Sequence, residues 1–271
     1  MGTEAANVKM TYLAKRRVEK QRLVYYIAAA DVMFWDQHWQ HNLSNDTYHR
    51  AEQGELSWFE VPFTRYLHKQ GRILEAGCGP GQYVLALRVR GYNAEGVEWG
   101  AETVNAVRAR HPDFPIRQGD VTRLEVPDGY YSGYISLGVV EHRQEGPEPF
   151  LREAYRVLGA GGVALFSVPC FHPLRRLKAR LGFYRGSNDG LEFYQYAFTG
   201  TEFTALLQLA KFKVIEQILY DGLKGVKDEI PLLRQMCKLR GLGWRLQRWI
   251  ESWEWIERNL GHMILFVCRK G

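Results

Sequence analysis

From Arg72 to about Tyr220 the chain alternates short apolar runs with helix-length amphipathic stretches, the pattern that buries a mostly parallel sheet between two layers of helices. The spacing predicts strands over 72–76, 94–98, 115–118, 131–137 and 163–168, with helices over 82–90, 101–110 and 148–158. The last of these helices is read as closing on a Gly159-Ala160-Gly161-Gly162 turn. A sixth strand is expected over 212–220 and a seventh over 262–268, so the chain returns to its sheet after a helical insertion over 221–260. The order is that of an open, doubly wound α/β sheet. Two stretches fall outside the rhythm: residues 1–70, read as a mostly helical, aromatic-rich extension or lid, and a cap segment, 170–198. The expected organisation is therefore that extension followed by one domain, 71–271, carrying the cap and the insertion. No internal repeat interrupts it.

At 271 residues and 46% hydrophobic composition the chain can bury a large core, which excludes disorder as its main state. Its 36 Lys and Arg against 30 Asp and Glu give +6, spread along the sequence. Such a balance suits an anionic ligand or surface without identifying a nucleic-acid binder. Cys78, Cys170, Cys237 and Cys268 lie too far apart for a metal-binding pair or a disulfide framework, and a reducing cytoplasm is the expected home. No apolar run reaches the length of a membrane span, and the basic stretch from Lys15 to Arg22 lacks a signal-peptide layout. A soluble protein is expected, with peripheral membrane contact left open.

The chemistry is concentrated where the first strand ends, at Glu75-Ala76-Gly77-Cys78-Gly79-Pro80-Gly81-Gln82. Alternate glycines let the backbone turn sharply and let a ligand approach main-chain N–H groups, at the strand ends where open α/β sheets bind ligands. A dinucleotide fingerprint needs its third glycine at position 82, where Gln82 stands, so a nicotinamide-dependent oxidoreductase is disfavoured. Glu98 ends the second strand about twenty residues on, where a carboxylate can accept from a ribose diol. Trp99 beside it offers a face to a base, and Asp120 with Val121 after the third strand suits an adenine amine and ring. Each feature also has an ordinary reading, as a tightened loop or a solvated acid; the combination is what points to a nucleoside.

Those segments, with Gly96-Val97-Glu98, Gln118-Gly119-Asp120-Val121, Ser136-Leu137-Gly138-Val139-Val140-Glu141-His142 and Leu151-Arg152-Glu153-Ala154-Tyr155-Arg156-Val157-Leu158, resemble class I S-adenosylmethionine-dependent methyltransferases of the small-molecule, type 11-like group. The motifs occur in the family's order across about residues 72–220. The resemblance implies a Rossmann-like seven-stranded sheet with the last strand antiparallel, and S-adenosylmethionine as cofactor. It implies that Glu75 and the backbone of Gly77, Cys78, Gly79 and Gly81 hold the methionine end. It gives the ribose to Glu98, the adenine to Asp120 and Val121, and the cofactor's inner face to Leu137. Ser132 departs from the acid many relatives carry there and is expected to be structural.

His142, just past the fourth strand, is the candidate base for deprotonating an acceptor, and Glu141 either orients it or pairs with a neighbouring base. Gly138 leaves the oxygen-rich cluster of metal-using relatives incomplete, so no metal is expected. Trp39, Tyr194 and Tyr196 are candidates for covering an apolar acceptor, and Arg175, in an acid-free stretch with Arg176, Lys178, Arg180 and Arg185, for holding an anionic one. Aromatic core packing and a solvated basic helix are the alternatives. The expected reaction is methyl transfer to an oxygen or nitrogen of a small-molecule, glycan or lipid-like acceptor. A macromolecular acceptor, RNA or protein, stays open. No nucleic-acid partner is expected, because the proline-containing loop used on base amino groups is absent after the fourth strand. The oligomeric state is left open, as is the insertion's role as lid, dimer contact or membrane contact.

Overall fold

The computed structural model describes residues 14–28, 34, 35, 39, 45–239 and 241–271. The described residues form ten strands in two sheets. The larger has seven, in the order β5-β4-β3-β6-β7-β10-β9, formed by β3 (Arg72–Ala76), β4 (Asn93–Glu98), β5 (Ile116–Gln118), β6 (Tyr131–Leu137), β7 (Leu158–Pro169), β9 (Phe212–Tyr220) and β10 (Met263–Lys270). β3 to β7 pair in parallel, and β10 runs antiparallel between β7 and β9. This is the Rossmann-like class I topology with its reversed final strand.

Alternation along the strands sorts the core into two layers. Leu74, Tyr134, Phe166 and Phe266 pack on one face with α5 (Glu148–Val157) and α7 (Gly200–Leu209). Their neighbours Ile73, Ile135, Leu165 and Leu265 face the other layer, with α2 (Glu60–Tyr66), α3 (Gln82–Val89) and α4 (Ala101–Arg110). β7 and β10 lie inside the sheet and read as largely apolar runs over 163–169 and 264–268, which is why their positions are readable from sequence. β7 starts earlier than expected, at Leu158, which pairs with Tyr131. The glycines expected as a turn therefore lie within an irregular opening of that strand.

The expectation of a mostly helical N-terminal extension is overturned over residues 15–27. β1 (Lys15–Glu19) and β2 (Arg22–Ile27) form a hairpin that β8 (Glu192–Ala197) extends into a three-stranded antiparallel sheet. Leu23-Val24-Tyr25-Tyr26-Ile27 is a β-forming run buried at every position. Its turn is made by Lys20 and Gln21, both at positive φ (46° and 71°), so the hairpin lacks the Asn or Gly that would announce it. Helix is found further on, in α1 (Asn45–Glu52) and α2. The expectation for residues 1–13, 29–33, 36–38 and 40–44 lies outside the described residues.

The insertion is helical as expected: α8 (Gly222–Lys227), α9 (Pro231–Met236), α10 (Leu242–Glu251) and α11 (Glu254–Leu260). The cap contributes α6 (Pro173–Arg180) and β8, and β8 lays the cap against the hairpin.

Candidate functional site

The turn after β3 is anchored to β4. Gly77 and Cys78 both donate from their backbone N–H to Val97 O, at 2.8 and 3.0 Å. Gly77, Gly79 and Gly81 all adopt positive φ, and a Cβ at Gly77 would lie 2.6 Å from Val139 Cγ2. Glycine is therefore required by conformation and by space. Tyr48 of α1, fully buried, braces the turn by donating its hydroxyl to Pro80 O at 2.7 Å.

Glu98 closes the arrangement. Its Oε2 accepts from the N–H of Gly79 at 2.8 Å and its Oε1 from that of Gly100 at 3.0 Å. The carboxylate thus joins the glycine turn to the end of β4. A carboxylate has four lone-pair directions, so a ribose diol can be received alongside these bonds or in exchange for them. Glu75 is also buried, accepts from Val84 N–H at 3.1 Å, and forms no ion pair among the described residues. Burial pushes its carboxyl up to about 8, the Val84 N–H opposes this, and the neighbouring charge of Glu98 adds to it. The Cys78 thiol is raised by burial and by both acids, and stays protonated as a small apolar spacer. Two buried carboxyls at a glycine turn fit a ligand that brings a diol and a positive charge, which is the chemistry of S-adenosylmethionine.

Val121 and Leu137 pack into the two core layers at the strand ends. Trp99 is largely exposed. Asp120 Oδ1 caps its own loop, accepting from the backbone N–H and the hydroxyl of Thr122 at 2.8 and 2.7 Å. Ser132 is structural in its contacts, donating to Arg72 O at 3.1 Å.

His142 stands at the end of a short 3₁₀ turn after β6. Its Nδ1 lies 2.8 Å from Tyr194 O. A carbonyl can only accept, so Nδ1 carries the proton and Nε2 presents the basic lone pair. Glu141 Oε1 is 3.9 Å from that Nε2. Its Oε2 is buried with no hydrogen-bond partner among the described residues, and burial pushes the Glu141 carboxyl up to about 8. Tyr194 packs on His142 with ring centroids 4.8 Å apart, and burial followed by the charge of Glu141 raises its phenol. Tyr196 donates to Gln144 O at 2.7 Å, bracing the loop beyond His142.

Two tryptophans link the turn to the histidine. Trp39 touches Gly79 so closely that a Cβ there would lie 2.7 Å from its Cε2. Trp35 stacks toward Trp39 at 6.5 Å and meets His142 edge-on at 4.7 Å. Trp35 stands in the sequence as one of several aromatics, and its spacing of four from Trp39 is the local signal that pairs them. Among the described residues no three His, Cys, Asp or Glu side chains gather as a metal-binding group.

The expectation that Arg175 holds an anionic acceptor is overturned. Arg175 is completely buried, donates to Glu229 Oε1 at 3.0 Å and Cys170 O at 2.7 Å, and meets His262 Nδ1 at 2.8 Å. Its charge is spent inside the protein, because Glu229, 54 residues away in sequence, supplies the partner its own segment lacks.

The raised acids carry a pH consequence. Glu75 and Glu141 titrate at about 8 in the folded chain against an ordinary 4.5, so each holds its proton across a range where the unfolded chain has lost it. Their contribution to stability is complete below pH 4.5 and is lost as pH rises through 8, at up to about 1.4 kcal/mol per pH unit per group. In urea titrations at pH 5 and 8, Glu141→Gln should lose less stability than the wild type. Equal losses would show that Glu141 titrates normally.

A doubly wound sheet with a glycine turn after one strand and an acid ending the next defines a nucleoside-binding α/β protein. Residues 74–166 match the family model described as a methyltransferase domain. A relative from Mycolicibacterium smegmatis, named "Probable S-adenosylmethionine-dependent methyltransferase", is 34% identical over 166 residues, 59% of this chain and 61% of its own. The malonyl-[acyl-carrier protein] O-methyltransferase of Serratia marcescens is 30% identical over 41% of this chain and 43% of its own. The chain thus spans less than two thirds of either curated relative. The crystal structure of an S-adenosylmethionine dependent methyltransferase from Mesorhizobium loti has the same fold, with a TM-score of 0.54 and 14% identity, covering 80% of this chain and 99% of that one. Residues 74–166 thus match a methyltransferase domain, and the chain is similar to a relative named as a probable S-adenosylmethionine-dependent methyltransferase and shares the fold of a solved one.

Proposed function

We infer that the protein transfers a methyl group from S-adenosylmethionine to an oxygen or nitrogen nucleophile of a small-molecule, glycan or lipid-like acceptor. The observation that carries the reading is Glu98, a buried carboxylate bonded to the Gly79 N–H across the glycine turn. When bound, the cofactor supplies a methyl group already activated on a cationic sulfur, so the protein's work is alignment, exclusion of water and removal of a proton. Glu98 receives the ribose hydroxyls, and Glu75 with the Gly77–Gly81 backbone holds the methionine end, where a cation stabilises the carboxylate that burial disfavours. Asp120, Val121 and Trp99 bound the adenine, with Leu137 beneath. Trp35 and Trp39 cover the turn, and Tyr194 fixes the imidazole so that Nε2 of His142 accepts the acceptor's proton.

Calorimetry with S-adenosylhomocysteine tests the reading. Glu98→Ala should weaken binding by about 1–3 kcal/mol, because the diol loses a charged acceptor. Unchanged affinity would remove Glu98 from the site, and heat with NAD but none with S-adenosylhomocysteine would overturn the function. A panel of carboxylic acids, phenols and amines, scored by S-adenosylhomocysteine release, then reads the acceptor class.

A further inference from the structure

The insertion between β9 and β10 presents a surface that the core does not use. α9 and α11 contain no buried residue, and α10 buries only Gly243 and Ile250. Leu232, Leu242, Trp244, Trp249 and Trp255 are each more than half exposed. Scattered apolar side chains are normal on a surface, but five large ones on one short insertion form a patch of the kind that marks an interaction site. The three helices are basic on balance: residues 231–260 hold six Lys and Arg against three acids, Glu251, Glu254 and Glu257, and the acids all lie after residue 250. Arg245 and Arg248 are exposed beside Trp244, with the Arg248 guanidinium 5.3 Å from the Trp244 ring.

A second segment, distant in sequence, repeats this composition in the same neighbourhood. α6 packs against α11, and it and the residues just after it expose Leu177, Leu181 and Phe183 among Arg176, Arg180 and Arg185. Two unrelated pieces of chain thus bring aliphatic and aromatic groups together with an excess of cations over acids. A self-complementary dimer would set one basic patch against its own copy, which like charge opposes. Single-stranded nucleic acid would use the cations and indoles but gives the exposed leucines nothing to bury against. An anionic bilayer uses all three: indoles settle at the headgroup level, leucines enter the acyl boundary, and arginines meet the phosphates.

We propose that α9, α10 and α11, together with α6, form a peripheral docking surface for an anionic phospholipid bilayer. No described helix is long and apolar enough to cross a membrane, so the contact is one of adsorption. The cap that carries α6 also supplies Tyr194 to the candidate site, so docking places that site's cover next to the lipid.

The full chain is sedimented with sucrose-loaded vesicles of phosphatidylcholine alone, or of phosphatidylcholine with about a third phosphatidylglycerol. It should pellet with the anionic vesicles and partition at least about tenfold less onto neutral ones or at high salt. Arg245→Glu with Arg248→Glu, and separately Trp244→Ser with Trp249→Ser, should each reduce partitioning by about tenfold while S-adenosylhomocysteine affinity is unchanged. Should the tryptophan variant fail to fold, the arginine variant and the lipid comparison still decide. Recovery in the supernatant with anionic vesicles, or equal partitioning onto both lipids, overturns the proposal. So does binding to polyadenylate without vesicle binding, or a dimer in light scattering that the substitutions dissociate while vesicles are ignored. The cofactor measurement is separate, so failure here leaves the methyltransferase reading intact.

Discussion

Replacing His142 by Ala is expected to cut turnover by about 100-fold or more, while S-adenosylhomocysteine affinity stays within about twofold. The magnitude is that of removing a positioned general base from a transfer whose nucleophile must lose a proton. The geometry makes the role specific: Tyr194 O accepts from Nδ1, which leaves Nε2 as the basic atom, and the Trp35 and Tyr194 rings hold the imidazole plane. The measurement is release of S-adenosylhomocysteine with the acceptor that the panel identifies, with and without added imidazole. Partial rescue by free imidazole belongs to a missing base. Near-normal turnover in the variant would make His142 a residue that only packs against the cap.

The second large effect concerns stability. Glu229→Ala should destabilise the fold by about 3–5 kcal/mol, because it leaves buried cations without their counter-charge. Glu229 is buried and receives Arg175, Lys178 at 2.8 Å, Arg16 and the Tyr184 hydroxyl. One carboxylate therefore ties the hairpin, the cap and the insertion together. Burial opposes its charge, but Arg16, Lys178, Tyr184 and Arg175 together lower its pKa from 4.5 to about 2. A depressed acid stabilises above its unfolded pKa, so this contribution is whole above pH 4.5 and is lost as pH falls toward 2. His262, lowered by burial and by Arg175, stays neutral and accepts from that arginine. A urea titration in which Glu229→Ala costs less than about 1 kcal/mol would show that the cap is held by apolar contacts alone.

The Glu229 cluster also shows where sequence reading ends. The acid-free run around Arg175 looks like an anion site because the nearest residues in sequence offer no counter-charge. The partner arrives through the long return from β9 to β10, and nothing local announces it. The hairpin at 15–27 was hidden for a different reason. Lys20 and Gln21 adopt positive φ because pairing with β8 stabilises the hairpin, while their side chains carry no turn preference. Trp35 and Trp39 were visible as aromatics, but their approach to His142 and Gly79 joins residues distant in sequence.

What the sequence determined by itself was the sheet, its order of strands and helices, and the glycine turn with the acid after it. These depend on local periodicity and on φ values that few residues tolerate, both written in neighbouring positions. Tertiary structure alone decided which charges are spent inside the protein, which aromatics meet the candidate base, and which are left facing solvent. Burial and electrostatic pairing are properties of distance in space, and residues 50 or more positions apart acquire them only when the chain closes.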